Sequence, residues 1–375
     1  MMSGDKQNQK AGDNSQLVQV GAINIINGVS EEKVRQIFKE SFEIACKEYT
    51  MDAQFLANER VQHFEESLVP KLMTIEEKLN VFADPSFQLL LKQAQISAAA
   101  SERNADYDML SELLVCRIEK GQSRKTRAGI SRAVEIIYEI DDDALCALTV
   151  SYAVRTLTPS HGLCREGVEA LANLFEKLMY MELPSGRDWI EHLDILDTVR
   201  INSIGSFNKL EEYCPIRLEG YSNAGIEVGS ENHKKALELL SSINISPSIL
   251  VTNELYPNYI KLPVVSKKYI RDNYKISRSV TNNDGSTTVS CTEISEKEIA
   301  VFDSIWELYT KDEVANQKSV AAFMEMWNSY PSLQKLRIWW NALPCSFDIT
   351  HVGRVLANTN ARRCDKTIPE LPLAT

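Results

Sequence analysis

The chain carries little of what usually announces a chemical site. Its eight cysteines, at 46, 116, 146, 164, 214, 291, 345 and 364, include no Cys-x-x-Cys pair. Most sit in apolar helical text such as Leu114-Val115-Cys116 and Leu145-Cys146-Ala147, the pattern of reduced cysteines filling a core in a reducing compartment. The five histidines, 63, 161, 192, 233 and 351, do not form a ligand-spaced set. Glycine is scarce, 15 of 375 residues. The stretches Gly12-Asp13-Asn14-Ser15 and Gly225-Ile226-Glu227-Val228-Gly229 lack the lysine and the strand–turn–helix setting of a nucleotide loop. No window approaches eighteen uninterrupted apolar residues, which argues against a spanning helix. The polar N-terminus has no apolar h-region, so no secretory signal is expected and a cytoplasmic location is. Positive charge is the minority sign, 41 Lys and Arg against 52 Asp and Glu, for a net charge of −11 and a pI near 5.2. Phosphate backbones are held mainly by clustered cations, so the overall balance does not favour nucleic acid.

What is present is helical. A hydrophobic fraction of 44% is ample for a core and 25% charged residues is ordinary for a globular protein. The length allows two or three domains or one large helical one. The first thirty residues stand apart: Gly4-Asp5 and Gly12-Asp13 repeat eight residues apart, Gly21 and Gly28 follow, and β-prone pieces rich in Asn and Gln run between them. Ser30 before Glu31, Glu32 and Lys33 predicts a capped helix start. Val34, Ile37, Phe38 and Phe42 then recur at three- and four-residue steps. One long helix, or two nearly continuous ones, is expected from about 31 to 68, ending before Pro70. Helices follow densely to Leu183-Pro184.

Beyond Pro184 the text turns mixed. A short helix at 189–196 and another at 231–243 flank a glycine-bearing stretch, 202–226, that reads as strands or loops. Alternating β-branched residues on both sides of Asp284-Gly285 predict a hairpin over 274–292. Ser295 with Glu298 forms a capping-box pattern, and helices carry 296–310, 312–329, 332–342 and 349–361. The fold class read from these elements is mainly α: a helical bundle with a short N-terminal β arm and a smaller mixed α/β region containing a β-hairpin. The expected divisions are a 1–29 arm, a 30–184 bundle, a 185–295 mixed region, 296–365 C-terminal helices and a loose 366–375 tail.

Each candidate for chemistry has a plainer reading. Asp141-Asp142-Asp143 supplies oxygen ligands, but acids at a helix start are also what the helix dipole favours; no metal and no cofactor is expected. His161-Gly162-Leu163-Cys164 places a base three residues from a thiol, but a turn between two helices with a buried cysteine is the plainer reading and the one expected. Trp327 and Trp339-Trp340, among Met, Leu and Ile, read as core. Arg124, Lys125, Arg127 and Arg132 are the best basic patch, against a solvated turn before a helix.

Several pieces together are similar to a largely uncharacterised family of bacterial proteins. These are Gly4-Asp5-Lys6-Gln7 and Gly12-Asp13-Asn14-Ser15-x-x-x-Gln19-x-Gly21, leading to Ile25 through Ser30. The resemblance continues in Asp84-Pro85-Ser86-Phe87-Gln88, Ala99-Ala100-Ser101 and Tyr107-x-x-Leu110-x-x-Leu113-Leu114-x-x-Arg117. It closes with Thr350-x-Val352-Gly353-x-x-Leu356-Ala357-x-x-Asn360. The resemblance implies a bacterial cytoplasmic protein, mainly helical, encoded among phage-defence or mobile-element genes. It implies no activity and no catalytic residue.

The expected function is therefore self-assembly without catalysis, as the scaffold, sensor or effector of an anti-phage defence system. A lone strand leaves its backbone groups unpaired. Gln16, Val18, Gln19, Val20, Ile23, Asn24, Ile25 and Asn27 are the residues expected to pair with the same segment in sister copies. The long helix extends that contact as a seam, and a homo-oligomer, with a protein partner from the same operon, is expected. One alternative is an enzyme whose site lies between the bundle and the mixed region, with His161, Cys164, Tyr256, Tyr259, Lys267 and Lys268 the residues to inspect. Another is a nucleic-acid or nucleotide sensor using the Arg124–Arg132 patch.

Overall fold

The computed structural model describes residues 31–45, 50–121, 123–202, 204–272, 274–281 and 287–370. The arm with its eight pairing residues, and the Ser30 cap, lie outside the described residues. The expected mainly α class is what the chain adopts, with sixteen α-helices and a few small antiparallel sheets among the described residues. It divides into two compact units, Met1–Tyr138 and Glu139–Thr375. The helices expected to share one bundle over 30–184 are thus split between them.

The first unit holds α1 (Glu31–Ala45), α2 (Met51–Met73), a 3-10 stretch Glu76–Ala83, α3 (Pro85–Ala100), α4 (Asn104–Lys120) and α5 (Arg124–Ile136). Of the two readings of the long helix, the structure takes two helices, and they run back along each other. The Phe38 and Phe64 rings lie 5.6 Å apart, and Arg35 reaches Glu65 at 2.7 Å. Pro70 does not end α2, contrary to the expectation from sequence. It sits in the last turn, where only the bond to the residue 66 carbonyl is lost, and the buried Leu68, Val69 and Leu72 hold that turn by packing.

Asp84 caps α3, accepting the Ser86 N–H at 2.9 Å, with Pro85 at the first helical position. Arg117 of α4 donates to Ser86 Oγ at 3.0 Å and stands 3.5 Å from the Asp84 carboxylate. α3 is central: Ala94 and Ala98 are fully buried, Gln95 donates to the Phe38 carbonyl at 2.8 Å and Ser97 to the Val134 carbonyl at 2.8 Å. Tyr107 donates to the Ser101 carbonyl at 3.0 Å, and Leu110, Leu113 and Leu114 are buried to 0% exposure.

The second unit opens with α6 (Asp142–Thr156), α7 (Cys164–Leu178), α8 (Asp188–Ile195), β1 (Val199–Asn202), α9 (Leu210–Arg217) and α10 (Glu219–Ser222). It continues through β2 (Ile226–Glu227), α11 (Glu231–Ser242), β3 (Val251–Thr252), β4 (Tyr259–Lys261), α12 (Lys267–Asp272), β5 (Lys275–Thr281) and β6 (Thr287–Glu293). The remainder is α13 (Glu296–Glu307), α14 (Glu313–Ser329), α15 (Pro331–Asn341), β7 (Ser346–Ile349) and α16 (His351–Cys364).

α6 is buried on every side from Ala144 to Val154, the signature of a helix at the centre of its unit. α16 lies on it, with Asn360 donating to Thr149 Oγ1 at 2.9 Å and Asn358 to the Tyr152 hydroxyl at 3.2 Å. Thr350 caps α16 by accepting the Gly353 N–H at 3.1 Å. A Cβ on Gly353 would stand 2.0 Å from the Thr198 carbonyl oxygen, so only glycine lets α16 come this close to the start of β1. β1 pairs antiparallel with β7, Val199 opposite Ile349, which ties the mixed segment to the C-terminal helices.

The hairpin expected over 274–292 is present as β5–β6, with Lys275 opposite Glu293 and Thr281 opposite Thr287; its connection, 282–286, lies outside the described residues. Ser295 and Glu298 form the capping box. Two expectations need correction. The stretch 202–226 contains α9, with Pro215 inside it, and Arg217 at its end donates to the Arg155 and Leu157 carbonyls, satisfying the open C-terminus of α6. The tail is not loose as far as residue 370. Ile368 is buried, the Pro369 carbonyl accepts from Asn358 at 3.2 Å, and Arg362 pairs with Glu370 at 3.1 Å.

Candidate functional site

In the first unit α1 and α2 leave a groove of about 670 Å³ between them. Its floor is Phe38, Phe42 and Val61, all buried, and its open lining is charged and polar: Arg35 and Lys39 from α1, and Asn58, Gln62, Glu65 and Glu66 from α2. The inner stripe of α2 (Ala57, Val61, Phe64, Leu68 and Leu72) is buried. Met51 and Phe55 fall off that stripe and are 85% and 71% exposed. With Asn58, Gln62 and Glu66 they recur at steps of four, three, four and four, which places them on one side of the helix. Two large apolar side chains in water thus continue the line of residues that borders the groove. The Met51-x-x-x-Phe55 spacing is visible in the sequence; which stripe of α2 would be covered is not.

In the second unit the residues named for an enzyme are partly gathered. Gly162 lies against the Pro263 carbonyl, where a Cβ would come within 2.1 Å, and the Tyr221 hydroxyl donates to the His161 carbonyl. Tyr256 and Tyr259 stack on each other at 4.8 Å. Lys267 and Lys268 turn to Glu307 and Asp272. Cys164 is 2% exposed, and burial pushes its thiol up from 9.0 to about 12, away from the thiolate a nucleophile needs. The helix start was legible; the direction of this shift was not.

The residue that sequence reading passed over is Lys261. It is 4% exposed and donates from Nζ to the Tyr221 carbonyl at 2.8 Å and to the Asn223 carbonyl at 3.4 Å. Loss of hydration pushes its ammonium down from 10.5 to about 8, with Cys164 and Glu254 opposing. Glu254 also accepts the Arg165 N–H at 2.9 Å at the start of α7. A lysine inside Tyr259-Ile260-Lys261-Leu262 was the available signal. Its bonds make it a clasp for the α10 end.

The basic quartet lies on α5. Arg124 and Lys125 are exposed at the first turn of α5. Arg127 acts on Arg117 and Asp84, and Arg132 pairs with Glu135 at 2.8 Å. Among the described residues no three His, Cys, Asp or Glu side chains gather to hold a metal ion, and no helix is long and apolar enough to cross a membrane.

A protein-family model whose description reads only ":-like" matches residues 28–371. The chain belongs to that family. No curated protein and no solved structure matches it. The matched span takes in every described residue of both units. The resemblance motifs inside the span act as caps and core: Asp84, Ser101 and Thr350 hold helix starts and a turn, and Gly353 permits a close approach.

Proposed function

We propose that this protein is a self-assembling protein without catalysis, whose copies meet on the α1–α2 face. The observation that carries the reading is the exposure of Met51 and Phe55 at the start of α2, in line with the polar rim of a groove whose apolar floor, Phe38, Phe42 and Val61, is already buried. Large apolar side chains in line with such a groove are the anatomy of an interaction surface. The scaffold, sensor or effector role implied by the bacterial resemblance uses such association as its physical basis. The arm residues 16–27, expected from the sequence to pair between sister copies, lie outside the described residues.

Light scattering across a concentration series tests this. The full chain should exceed the 42.3 kDa of one copy, and Phe55→Asp should return it to that mass with helical circular dichroism unchanged. Each copy of a symmetric dimer contributes one Phe55, so the variant loses two buried rings, worth roughly 4 kcal/mol or on the order of 10³ in Kd. Deleting residues 1–28 reads the arm's share. A single-chain mass at every concentration would sink the proposal.

A further inference from the structure

We infer that the exposed face of α5 docks the phosphodiester backbone of a nucleic acid, held by Arg124, Lys125 and Arg127 and extended by Arg132. The proposal stands apart from the self-assembly reading, which uses α1 and α2.

The charge is local. From residue 120 to residue 134 the sequence holds five cations, Lys120, Arg124, Lys125, Arg127 and Arg132, and no Asp or Glu. The chain as a whole carries −11. Thr126, Gly129, Ile130, Ala133 and Val134 are the buried side of α5. Arg124, Arg127, Ala128, Ser131 and Arg132 recur at three- and four-residue steps along the opposite side, with Lys125 in line with Arg132. Arg124, Lys125, Ala128 and Ser131 are exposed, and Arg127 and Arg132 half-buried.

Three of these cations lack the partners that others in the unit have. Arg35, Arg60, Lys71, Arg103 and Arg117 each pair with a carboxylate. No carboxylate among the described residues forms an ion pair with Arg124, Lys125 or Arg127. Arg127 acts on Asp84, but that group already stands 3.5 Å from Arg117. The Arg117 guanidinium is in turn pushed down, first by loss of hydration and then by the Arg127 charge. Positive charge therefore exceeds the acids within reach. Arg132 pairs with Glu135 at 2.8 Å, so it joins by exchanging a carboxylate for a phosphate.

Phosphates suit this face better than an acidic protein does. A protein interface is built around buried aromatic or aliphatic anchors, and Ala128 is the only apolar side chain among these six. A phosphate backbone needs clustered cations. Arginine forks grip its oxygens in pairs, and the small Ala128 and Ser131 between them leave the approach clear. Arg124 to Arg132 covers about 12 Å of helix, the rise of about three phosphates along one duplex strand.

The test is fluorescence anisotropy of a short labelled DNA duplex with the full chain, from 50 to 200 mM salt. Three to four neutralised phosphates give log K a slope of about −2.7 to −3.6 against log salt. Kd should then rise from about 10⁻⁶ M to about 10⁻⁴ M across that range. The double variant Arg124→Gln with Lys125→Gln changes only exposed side chains. It should keep its circular dichroism, flatten the slope by about 1.8 and weaken binding at 50 mM salt about tenfold or more. Polyglutamate should displace the duplex far less well than unlabelled DNA. No binding at 50 mM salt overturns the proposal, and so does binding that the double variant leaves intact. Polyglutamate competing as well as DNA assigns the face to an acidic protein segment and overturns it too.

Discussion

Replacing Lys261 by methionine separates the cost of a buried charge from the worth of its hydrogen bonds. In the folded chain the ammonium titrates at about 8 against an ordinary 10.5, a gap equivalent to about 3 kcal/mol. Because the folded value is the lower one, the unfolded chain binds the extra proton between pH 8 and 10.5, and stability rises with pH there. Lysine's contribution is thus fullest above 10.5 and is lost as pH falls to 8. Lys261→Met removes this dependence but leaves the Tyr221 carbonyl without its Nζ donor, a loss of about 1–3 kcal/mol; the Asn223 carbonyl keeps a bond from Asn253 at 3.2 Å.

At pH 7 the two effects nearly cancel. By pH 10.5 the variant should fall about 3 kcal/mol further behind its parent. All five tryptophans (189, 306, 327, 339 and 340) lie in the second unit, so urea unfolding followed by their fluorescence reports the unit that holds Lys261. Cys146, Cys164 and Cys214, each pushed up from 9.0 to about 12 by burial, lower stability above pH 9 in both proteins and drop out of the difference. A difference that stays constant from pH 7 to 10.5 would refute the buried-charge account.

Gly353→Ala forces a Cβ to 2.0 Å from the Thr198 carbonyl and should cost the second unit about 1–3 kcal/mol, read by the same fluorescence; an unchanged midpoint counts against the close approach. Asp84→Ala removes the α3 cap, about 1 kcal/mol, and takes the carboxylate from the nearly buried Arg117, leaving it the Ser86 hydroxyl, so hydrogen exchange in α3 should quicken, while Asp84→Asn keeps part of the cap and should quicken it less. The Asp365 carboxyl is held at about 2, first by the hydrogen bond from Lys177. Its stabilisation is present above pH 3.8 and lost as pH falls toward 2, so Asp365→Asn should flatten the acid limb of the stability curve. A thiol reagent should leave Cys146, Cys164 and Cys214 untouched in the native chain and label the exposed Cys291 ahead of them; rapid labelling of Cys164 would contradict its burial.

Local signals in the sequence carried the elements well and the divisions poorly. The cap at Ser295, the 274–292 hairpin and the core stripes depend on neighbours a few residues away, and they stand where expected. α9 was hidden because a proline and short apolar pieces argue against helix, whereas Arg217 fixes that helix by bonding to carbonyls about sixty residues earlier. The stop expected before Pro70 failed for a similar reason: packing of Leu68 and Leu72 outweighs one missing hydrogen bond. Of the candidate sites, the quartet of basic residues and the His161–Cys164 pair were legible as residue types. Their surroundings were not, since burial and charge partners come from distant segments.

The amino-acid sequence by itself determined a mainly α chain with no spanning helix text, its helix starts, its hairpin and the apolar stripes that become core. Those follow from period, capping chemistry and turn residues, all read within about a dozen positions. Only the tertiary structure decided that the units part at Tyr138, that β1 meets β7 and that Lys261 is enclosed. It also decided which stripe of α2 is covered and which leaves Met51 and Phe55 in water. Each of these depends on which surfaces meet across about forty residues or more, or on which side of a helix is covered, and helical period alone does not choose between them.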